Sequence, residues 1–319
     1  MRRGAPSSAV RVDPSNAPRW GRVAHGPRGL GLGAAPVPEG VSIADGPAWH
    51  PVYAAPFAVT QAVVVAGGDI VLVASPGVAR TLRAPSMQQA FDRRPPGLDR
   101  VAGASRSNAG LLHADDGWRA VVLPSLGDVL PDLGPGPAAL RPDGRVVAAV
   151  RDGGIVELGL PGGEEIARHP GEPDALAYVA DGTLVVALGV GVGAPGGSVR
   201  AGSPVVALAA AAEAPVVLAR HADGSCSLWE GGADQPVGTW TPPFDGPLSI
   251  SLSPDGALAG VGTPFADPAG AAVVDARSGA VLLAVEGARA VALAPEGVVI
   301  GGEWGVMWLA PVDEEESQS

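Results

Sequence analysis

The residues of this sequence that could do chemistry are few and widely spaced. Five histidines occur in 319 residues, and no two of them stand in the HxH, HxxxH or HExxH spacing that brings two imidazoles to one metal ion. No G-x-S-x-G motif occurs, and Cys226 lies in the apolar run SCSLW, where a buried thiol is expected to be inert. We therefore predict no metal, no cofactor and no catalytic residue. The histidines are His25, His50, His113, His169 and His221.

Glycine-rich and acidic stretches are the next candidates for a site. The runs at Gly29–Gly33 and Gly189–Ser198 do not lie between a strand and a long amphipathic helix, and the chain has no lysine to serve a Walker motif. Both are predicted to be loops or bulged strands. The carboxylate pairs Asp115-Asp116 and Glu164-Glu165 fall at predicted turns, which favour acidic residues. An enzyme or small-ligand binder that uses a central channel remains an alternative, because such a site draws on residues far apart in sequence.

Composition excludes several classes of protein. The formal charge is −12 and the basic residues are all arginines without a dense run, so a nucleic-acid partner is not expected. The N-terminus has no apolar signal core, and every apolar run is broken well before the ~18 residues of a membrane helix. A single cysteine suits a reducing compartment. We expect a cytoplasmic protein, and the absence of lysine reflects either a GC-rich genome or work beside lysine-modifying machinery.

A repeated hairpin organises the chain. An apolar stretch, a turn with Asp-Gly or Glu-Gly, and a second apolar stretch read as two antiparallel strands. A third strand follows each hairpin, and fourth strands can be placed at ARTLRAP, DVLPDL, EEIARH, QPVGTW and AVLLAV. The hairpins are Ala138–Val150, Ala175–Leu188, Leu248–Gly262 and Ala288–Gly302.

Seven instances of the third strand can be found, one of them a degenerate, glycine-swollen version near Gly189–Val199. Units of four short strands that repeat in this way predict an all-β, seven-bladed β-propeller with four-stranded antiparallel blades, rather than a pair of sandwiches. The other six third strands are placed at Gly67–Gly77, Asp116–Gly127, Asp152–Gly163, Asp223–Gly232, Ala269–Gly279 and Glu303–Asp313.

The chain resembles the WD-repeat and related bacterial propellers over about residues 46–313. Trp229-Glu230 stands where those repeats carry Trp-Asp at the end of the third strand, and SPDG at Ser253–Gly256 is similar to their first hairpin turn. The resemblance implies the architecture and little chemistry. It also implies that an N-terminal segment completes the last blade, since an open three-stranded blade would leave an unpaired edge.

The predicted propeller divides the chain into three parts. Residues 1–45 are predicted to supply the closing strand, residues 46–313 to form the propeller, and residues 314–319 to be a disordered acidic tail. Two candidates for the closing strand are Ala9–Val12 and Arg28–Pro36, either of which would pair with the strand around Val306–Leu309.

Function is predicted from the loops, because a propeller presents them on a rigid disc. The leading hypothesis is a non-enzymatic protein–protein interaction scaffold in a cytoplasmic bacterial assembly, with no direct contact to nucleic acid or membrane. A sensor or regulatory subunit of an ATPase-linked or defence system is a further alternative. Exposed aromatic and arginine side chains are typical of binding hot spots, although the tryptophans among them could instead pack over the blade edges. The partner-binding candidates are Phe91, Arg93, Arg94, Trp118, Arg151, Arg220, Phe265 and Trp304, of which the first three lie in Ala84–Asp99, predicted to be a long link between blades.

Overall fold

The chain forms a ring of β-sheets. The computed structural model describes residues 10–11, 24–25, 33–34, 49–55 and 57–311, apart from residues 198, 232, 247, 267 and 268. Within them, seven antiparallel four-stranded sheets are arranged as the blades of a propeller, and the one helical element is a 3-10 turn at Ala66–Gly68. The prediction of an all-β, seven-bladed propeller is confirmed. The predicted acidic tail, residues 314–319, and most of residues 1–45 lie outside the described residues.

The strands follow one another around the ring in chain order, with the exception of the first four. Those four are β1 (Val10–Arg11), β2 (Ala24–His25), β3 (Gly33–Ala34) and β4 (Trp49–Ala55). Blades 1 to 3 contain β5 (Gln61–Val65), β6 (Ile70–Ser75), β7 (Val78–Arg83), β8 (Gln88–Arg93), β9 (Arg100–Gly103), β10 (Ala109–Ala114), β11 (Gly117–Val122), β12 (Gly127–Leu130), β13 (Ala138–Leu140), β14 (Val146–Arg151), β15 (Gly154–Gly159) and β16 (Glu165–Pro170). Blades 4 and 5 contain β17 (Ala175–Tyr178), β18 (Leu184–Leu188), β19 (Gly191–Gly193), β20 (Val199–Arg200), β21 (Val205–Ala210), β22 (Val216–His221), β23 (Cys226–Glu230) and β24 (Gly238–Trp240). Blades 6 and 7 contain β25 (Ser249–Leu252), β26 (Leu258–Gly262), β27 (Gly270–Asp275), β28 (Val281–Glu286), β29 (Ala288–Ala294), β30 (Gly297–Gly302) and β31 (Gly305–Pro311).

The repeated Asp-Gly pair makes the first turn of several blades. In blade 3, the Asp143 carboxylate accepts a hydrogen bond from the Arg145 backbone N–H at 3.0 Å, and Gly144 takes a φ of 68°. The same arrangement recurs at Asp181 and Asp255 in blades 4 and 6. The repeat therefore has a physical basis in two residues of each turn. The short acidic side chain caps its own turn, and the glycine tolerates positive φ.

The Glu-Gly turn of blade 7 works differently. Gly297 is the first residue of β30 rather than a left-handed turn residue. A Cβ at this position would lie 2.6 Å from both the Leu309 carbonyl oxygen and the Trp308 indole nitrogen. Glycine is required here because the neighbouring strand approaches too closely for a side chain.

The core lies between neighbouring blades. Leu112 and Val121 of blade 2 pack against Leu72 of blade 1, and clusters of this kind fill all seven blade interfaces. At the interface between blades 7 and 1, Ala292 and Val299 pack against residues that include Val71 and Val73. Each fully buried valine or leucine side chain stabilises the fold by roughly 1.5–3 kcal/mol. The interface between blades 7 and 1 therefore stabilises the closed ring in the same way as the other six interfaces do.

The strand that closes the ring is β4. It pairs antiparallel with β31, with Ala55 opposite Val306 and Trp49 opposite Pro311. The two segments predicted for this role are wrong: β1, within Ala9–Val12, instead pairs in parallel with Val285 and Glu286 at the outer edge of blade 6. Within Arg28–Pro36, Gly33 and Ala34 pair with β2. A closing strand that leads directly into the first strand of blade 1 needs only residues 56–60 as a link, and both edges of β31 are then occupied.

Blade 1 differs from its predicted strand order by one place. The stretch Gly67–Gly77 contains the second strand, β6, rather than the third, and ARTLR forms the third strand, β7. The fourth strand, β8, therefore falls in Ala84–Asp99, which was predicted to be a link between blades. The sequence of β8, QQAFDR, is mostly polar because an outermost strand faces solvent. The degenerate third strand of blade 4 is confirmed as β19, which has three residues.

Candidate protein-interaction site

The two faces of the disc carry different loops. The connection face collects the turns between second and third strands and the links between blades, and the hairpin face collects the first-to-second and third-to-fourth turns. This division follows from the antiparallel order within each blade. Most of the predicted partner-binding residues lie on or beside the connection face: Arg94, Trp118, Arg151, Arg220, Phe265 and Trp304.

Phe91 and Arg93 lie on the outer strand of blade 1. The Phe91 ring is 47% exposed, and Arg94 next to the strand is exposed as well. Arg93, in contrast, is engaged with blade 2: its Nη1 and Nη2 donate to the two oxygens of Asp128 at 2.5 and 2.8 Å, and Nη1 also donates to the Leu126 carbonyl at 2.9 Å. The hydrogen bond with Arg93 lowers the pKa of Asp128 against the effect of burial. Arg93 joins two blades, which leaves Phe91 and Arg94 free for a partner.

The two tryptophans among the candidates are buried. Trp118 and Trp304 are 5% and 7% exposed and belong to the clusters between blades 2 and 3 and between blades 6 and 7. The Trp118 ring also lies 4.9 Å from the His113 ring and 5.4 Å from the Arg100 guanidinium. These side chains pack within the propeller, which agrees with the alternative that the tryptophans pack against the blades rather than bind a partner.

Arg220 lines a pocket between blades 5 and 6 on the connection face. The pocket has a volume of about 510 Å³, and its walls include Phe244, Thr241 and Val206. The Nε atom of Arg220 is buried and has no hydrogen-bond partner among the described residues. Burial lowers the pKa of the guanidinium from its usual value. Asp223 also lines the pocket, but its Oδ1 accepts hydrogen bonds from the backbone and side chain of Ser225.

Phe265 stands beside this pocket. It is 58% exposed in the second-to-third-strand turn of blade 6. A Cβ on Gly246, another residue of the pocket, would lie 3.7 Å from Ala266. Arg289 holds the same turn by donating to the carbonyls of Pro264 and Ala266 at 3.3 and 3.1 Å. Phe265 therefore offers an exposed ring next in sequence to Ala266, which lies close to the lining of the Arg220 pocket.

Arg151 lies near Trp118, because the Trp118 backbone N–H donates to the Gly134 carbonyl at 2.9 Å and a Cβ on Gly134 would lie 3.9 Å from Arg151 Cγ. It is the last residue of β14, where it pairs with Gly154, and it is half-buried on blade 3. Phe244 was not predicted as a site residue. It lies in the proline-containing link after Trp240, and the sequence gives no signal that its ring would meet a pocket formed by the preceding blade.

A hydrogen-bond chain crosses the interior of blade 5. Trp229 Nε1 donates to Ser227 Oγ at 2.8 Å, and Ser227 Oγ lies 2.6 Å from His221 Nε2. His221 Nδ1 lies 3.0 Å from the Ser203 carbonyl oxygen, which can only accept. Nδ1 is therefore the donor to Ser203, and the Ser227 hydroxyl, which accepts from Trp229, donates to Nε2. All three side chains are buried, so these hydrogen bonds stabilise the interior of blade 5.

A second polar cluster joins blades 3 and 4. Glu157 accepts a hydrogen bond from the Tyr178 hydroxyl at 2.7 Å and lies 2.7 Å from His169 Nε2. Burial would raise the pKa of Glu157, but its hydrogen bonds with His169 and Tyr178 outweigh burial and lower it. Sequence reasoning missed this cluster because its members come from three strands in two blades. It satisfies a partly buried carboxylate at a blade interface.

The central channel contains a cavity with a mixed apolar and polar wall. It has a volume of about 350 Å³, lies near the hairpin-face end of the channel and is lined by first strands, with Ala62, Ala102, Ala209 and Ala292 among them. Of the described residues that line it, the ionisable ones are Arg106 and Glu213. The Arg106 guanidinium donates to the Ala212 carbonyl across the channel. The cavity thus lacks, among its described residues, the carboxylate pair that a retaining glycosidase needs.

Two further searches bear on the class of protein. No group of three or more histidine, cysteine or acidic residues that could hold a metal ion occurs among the described residues. In the same part of the chain, no helix has the length and apolar character needed to cross a membrane.

No protein-family model matches the chain, and no curated protein matches it either.

Proposed function

We propose that this protein is a non-enzymatic scaffold that binds a protein partner through its connection face. The propeller fold commonly serves protein interaction, and the resemblance of Trp229-Glu230 and Ser253–Gly256 to bacterial propellers favours an assembly in the bacterial cytoplasm. The rigid ring supports this role, because loops that are fixed in the free protein lose little entropy when a partner binds.

The observation that carries the proposal is the buried Nε of Arg220, which has no hydrogen-bond partner among the described residues and lies in a pocket close to the turn of exposed Phe265. A half-buried cation without a hydrogen-bond acceptor for Nε is costly in the free protein, and a ligand that supplies the acceptor removes that cost. Arginine and aromatic residues are also enriched at the centres of protein interfaces. The site thus combines the two residue types that a protein-binding hot spot uses most.

The partner that fits has an acceptor oxygen next to an apolar side chain. A backbone carbonyl or a carboxylate would accept from Arg220 inside the pocket. The apolar side chain would pack against Phe265 or Phe244. Asp245 at the pocket lining disfavours a densely acidic partner, because like charges repel there.

The test begins with the tagged protein purified from the organism that encodes it. A protein recovered in stoichiometric amount is then purified and titrated calorimetrically against wild type, Arg220→Gln, Phe265→Ser and the double variant. We expect Arg220→Gln to weaken binding roughly tenfold or more, as for a hot-spot residue. Ile166→Ser, which changes an equally exposed apolar side chain on the outer strand of blade 3, is the matched control and is expected to bind as wild type does.

Equal affinity for the double variant and for Ile166→Ser would contradict the proposed site. A second candidate function, binding of a small apolar molecule in the channel, is favoured by the 350 Å³ cavity and its alanine-rich wall. Recovery of a monomer with a small molecule bound there, and no protein partner, would replace the scaffold proposal with that function.

A further inference from the structure

A cleft separates blades 4 and 5 on the hairpin face. Its volume is about 640 Å³, and it lies between the first-to-second and third-to-fourth turns of both blades. The floor is apolar, and each of its six members comes from a different strand or turn. They are Val179, Val185, Val192, Val199, Val217 and Trp229.

The cleft exists because blade 4 has little to fill it. Its third and fourth strands have three and two residues, against six in each of the corresponding strands of blade 3. Gly193 and Gly197 line the cleft without a side chain, and a Cβ at Gly197 would have no heavy atom within 4 Å. The glycine-swollen repeat thus replaces side chains with open space over an apolar floor.

The rim of the cleft is acidic. Asp181, Glu230 and Asp234 line it, and none of the described lining residues is basic. The two undescribed residues beside it, Ser198 and Gly232, carry no charge. Hydrogen bonds from Thr183 lower the pKa of Asp181, which is therefore ionised at neutral pH. Arg277 of blade 6 pairs with Glu230 at 2.6 Å, so Asp181 and Asp234 give the rim its negative charge.

We propose that this cleft binds a linear segment of a partner protein whose apolar side chains are followed or preceded by arginine or lysine. The apolar side chains enter the space that blade 4 leaves open, and the basic ones meet the carboxylates at the rim. This site lies on the opposite face from the Arg220 pocket and goes beyond the function proposed above. It gives the scaffold a second, chemically different binding surface.

The test selects ligands without assuming their sequence. A displayed library of random linear peptides is panned on the whole protein, and the enriched peptides are synthesised and titrated by fluorescence anisotropy. We expect peptides that combine apolar with basic residues. At Gly197 a Cβ would have no heavy atom within 4 Å and the backbone need not change region, so Gly197→Trp is expected to fill the cleft and abolish their binding. Asp181→Asn with Asp234→Asn retains the turn-capping oxygen and is expected to weaken binding roughly tenfold and to reduce its salt dependence.

Gly202→Trp is the matched control. Gly202 is also exposed and has no heavy atom within 4 Å of a Cβ, but it lies in the link on the connection face. Enriched peptides that are acidic, that bind Gly197→Trp and Gly202→Trp equally, or that fail to appear would overturn the proposal. Self-association that Gly197→Trp abolishes would assign the cleft to a second copy and would also overturn it. Arg220→Gln is expected to leave peptide binding unchanged, so the two sites fail independently.

Discussion

Ser227 is the centre of the buried chain in blade 5, and its removal should be unusually costly for a single hydroxyl. Ser227→Ala leaves Trp229 Nε1 without an acceptor and His221 Nε2 without a donor, at a residue that is 3% exposed. An unsatisfied buried polar group costs about 1–3 kcal/mol, so two of them predict a loss of about 2–6 kcal/mol in the free energy of unfolding. Urea unfolding followed by far-UV circular dichroism measures it.

A double-mutant cycle separates this reason from a simple loss of packing. Trp229→Phe removes one of the two groups that Ser227→Ala would leave unsatisfied, while an aromatic ring still fills the blade. In that background we expect Ser227→Ala to cost about 1–3 kcal/mol less. Ser225→Ala is the control, because it removes a serine hydroxyl that bonds to Asp223 on an exposed turn two residues away. The reasoning is refuted if Ser227→Ala costs no more than Ser225→Ala, or if the Ser227 and Trp229 effects add without coupling.

Two other predictions concern the joints of the ring. Removal of residues 1–55 should lower the melting temperature far more than removal of residues 1–36, because only the longer deletion takes away the strand paired with β31; equal melting temperatures would disprove closure by β4. The stability difference between wild type and Asp128→Asn should be present at pH 7 and lost as the pH falls through the folded pKa of Asp128, which the Arg93 hydrogen bond holds below 3.8. Because this ion pair is partly exposed, the expected difference in the free energy of unfolding is at most about 1 kcal/mol. Urea unfolding measures it, and a difference in midpoints that does not shrink between pH 5 and pH 2 would show that Arg93 and Asp128 do not interact through charge.

The sequence reveals the hairpins well because local chemistry makes them. Asp143 and Gly144, which form one of the repeated turns, are adjacent in the chain and need no distant residue. The polar outer strand of blade 1 was misread for the opposite reason: a strand such as Gln88–Arg93 is recognisable only from the strand that it pairs with. The closing strand also depends on a distant partner, since Ala55 and Val306 meet only when the ring is complete.

The candidate sites show the same division. The positions of Arg220 and Phe265 at the connection face could be predicted, because residue type and loop position suffice to mark them as candidates. That Arg93 would be occupied by Asp128 could not be foreseen, since it depends on how two outer strands lie across a blade interface. The glycine-rich repeat that leaves the cleft open can be recognised in the sequence. The acidic rim could not be predicted, because it combines turns of two blades.

Closure by β4 also means that the two strands that close the ring are synthesised at different times. Ala55 ends the closing strand and Gly305 begins its partner, a separation of 305 − 55 = 250 residues. At roughly 5–20 residues per second, β4 emerges about 10–50 s before β31 exists. Throughout that interval β4 lacks the partner strand that it has in the complete chain, so a chain that stops before β31 cannot close the ring through this pairing.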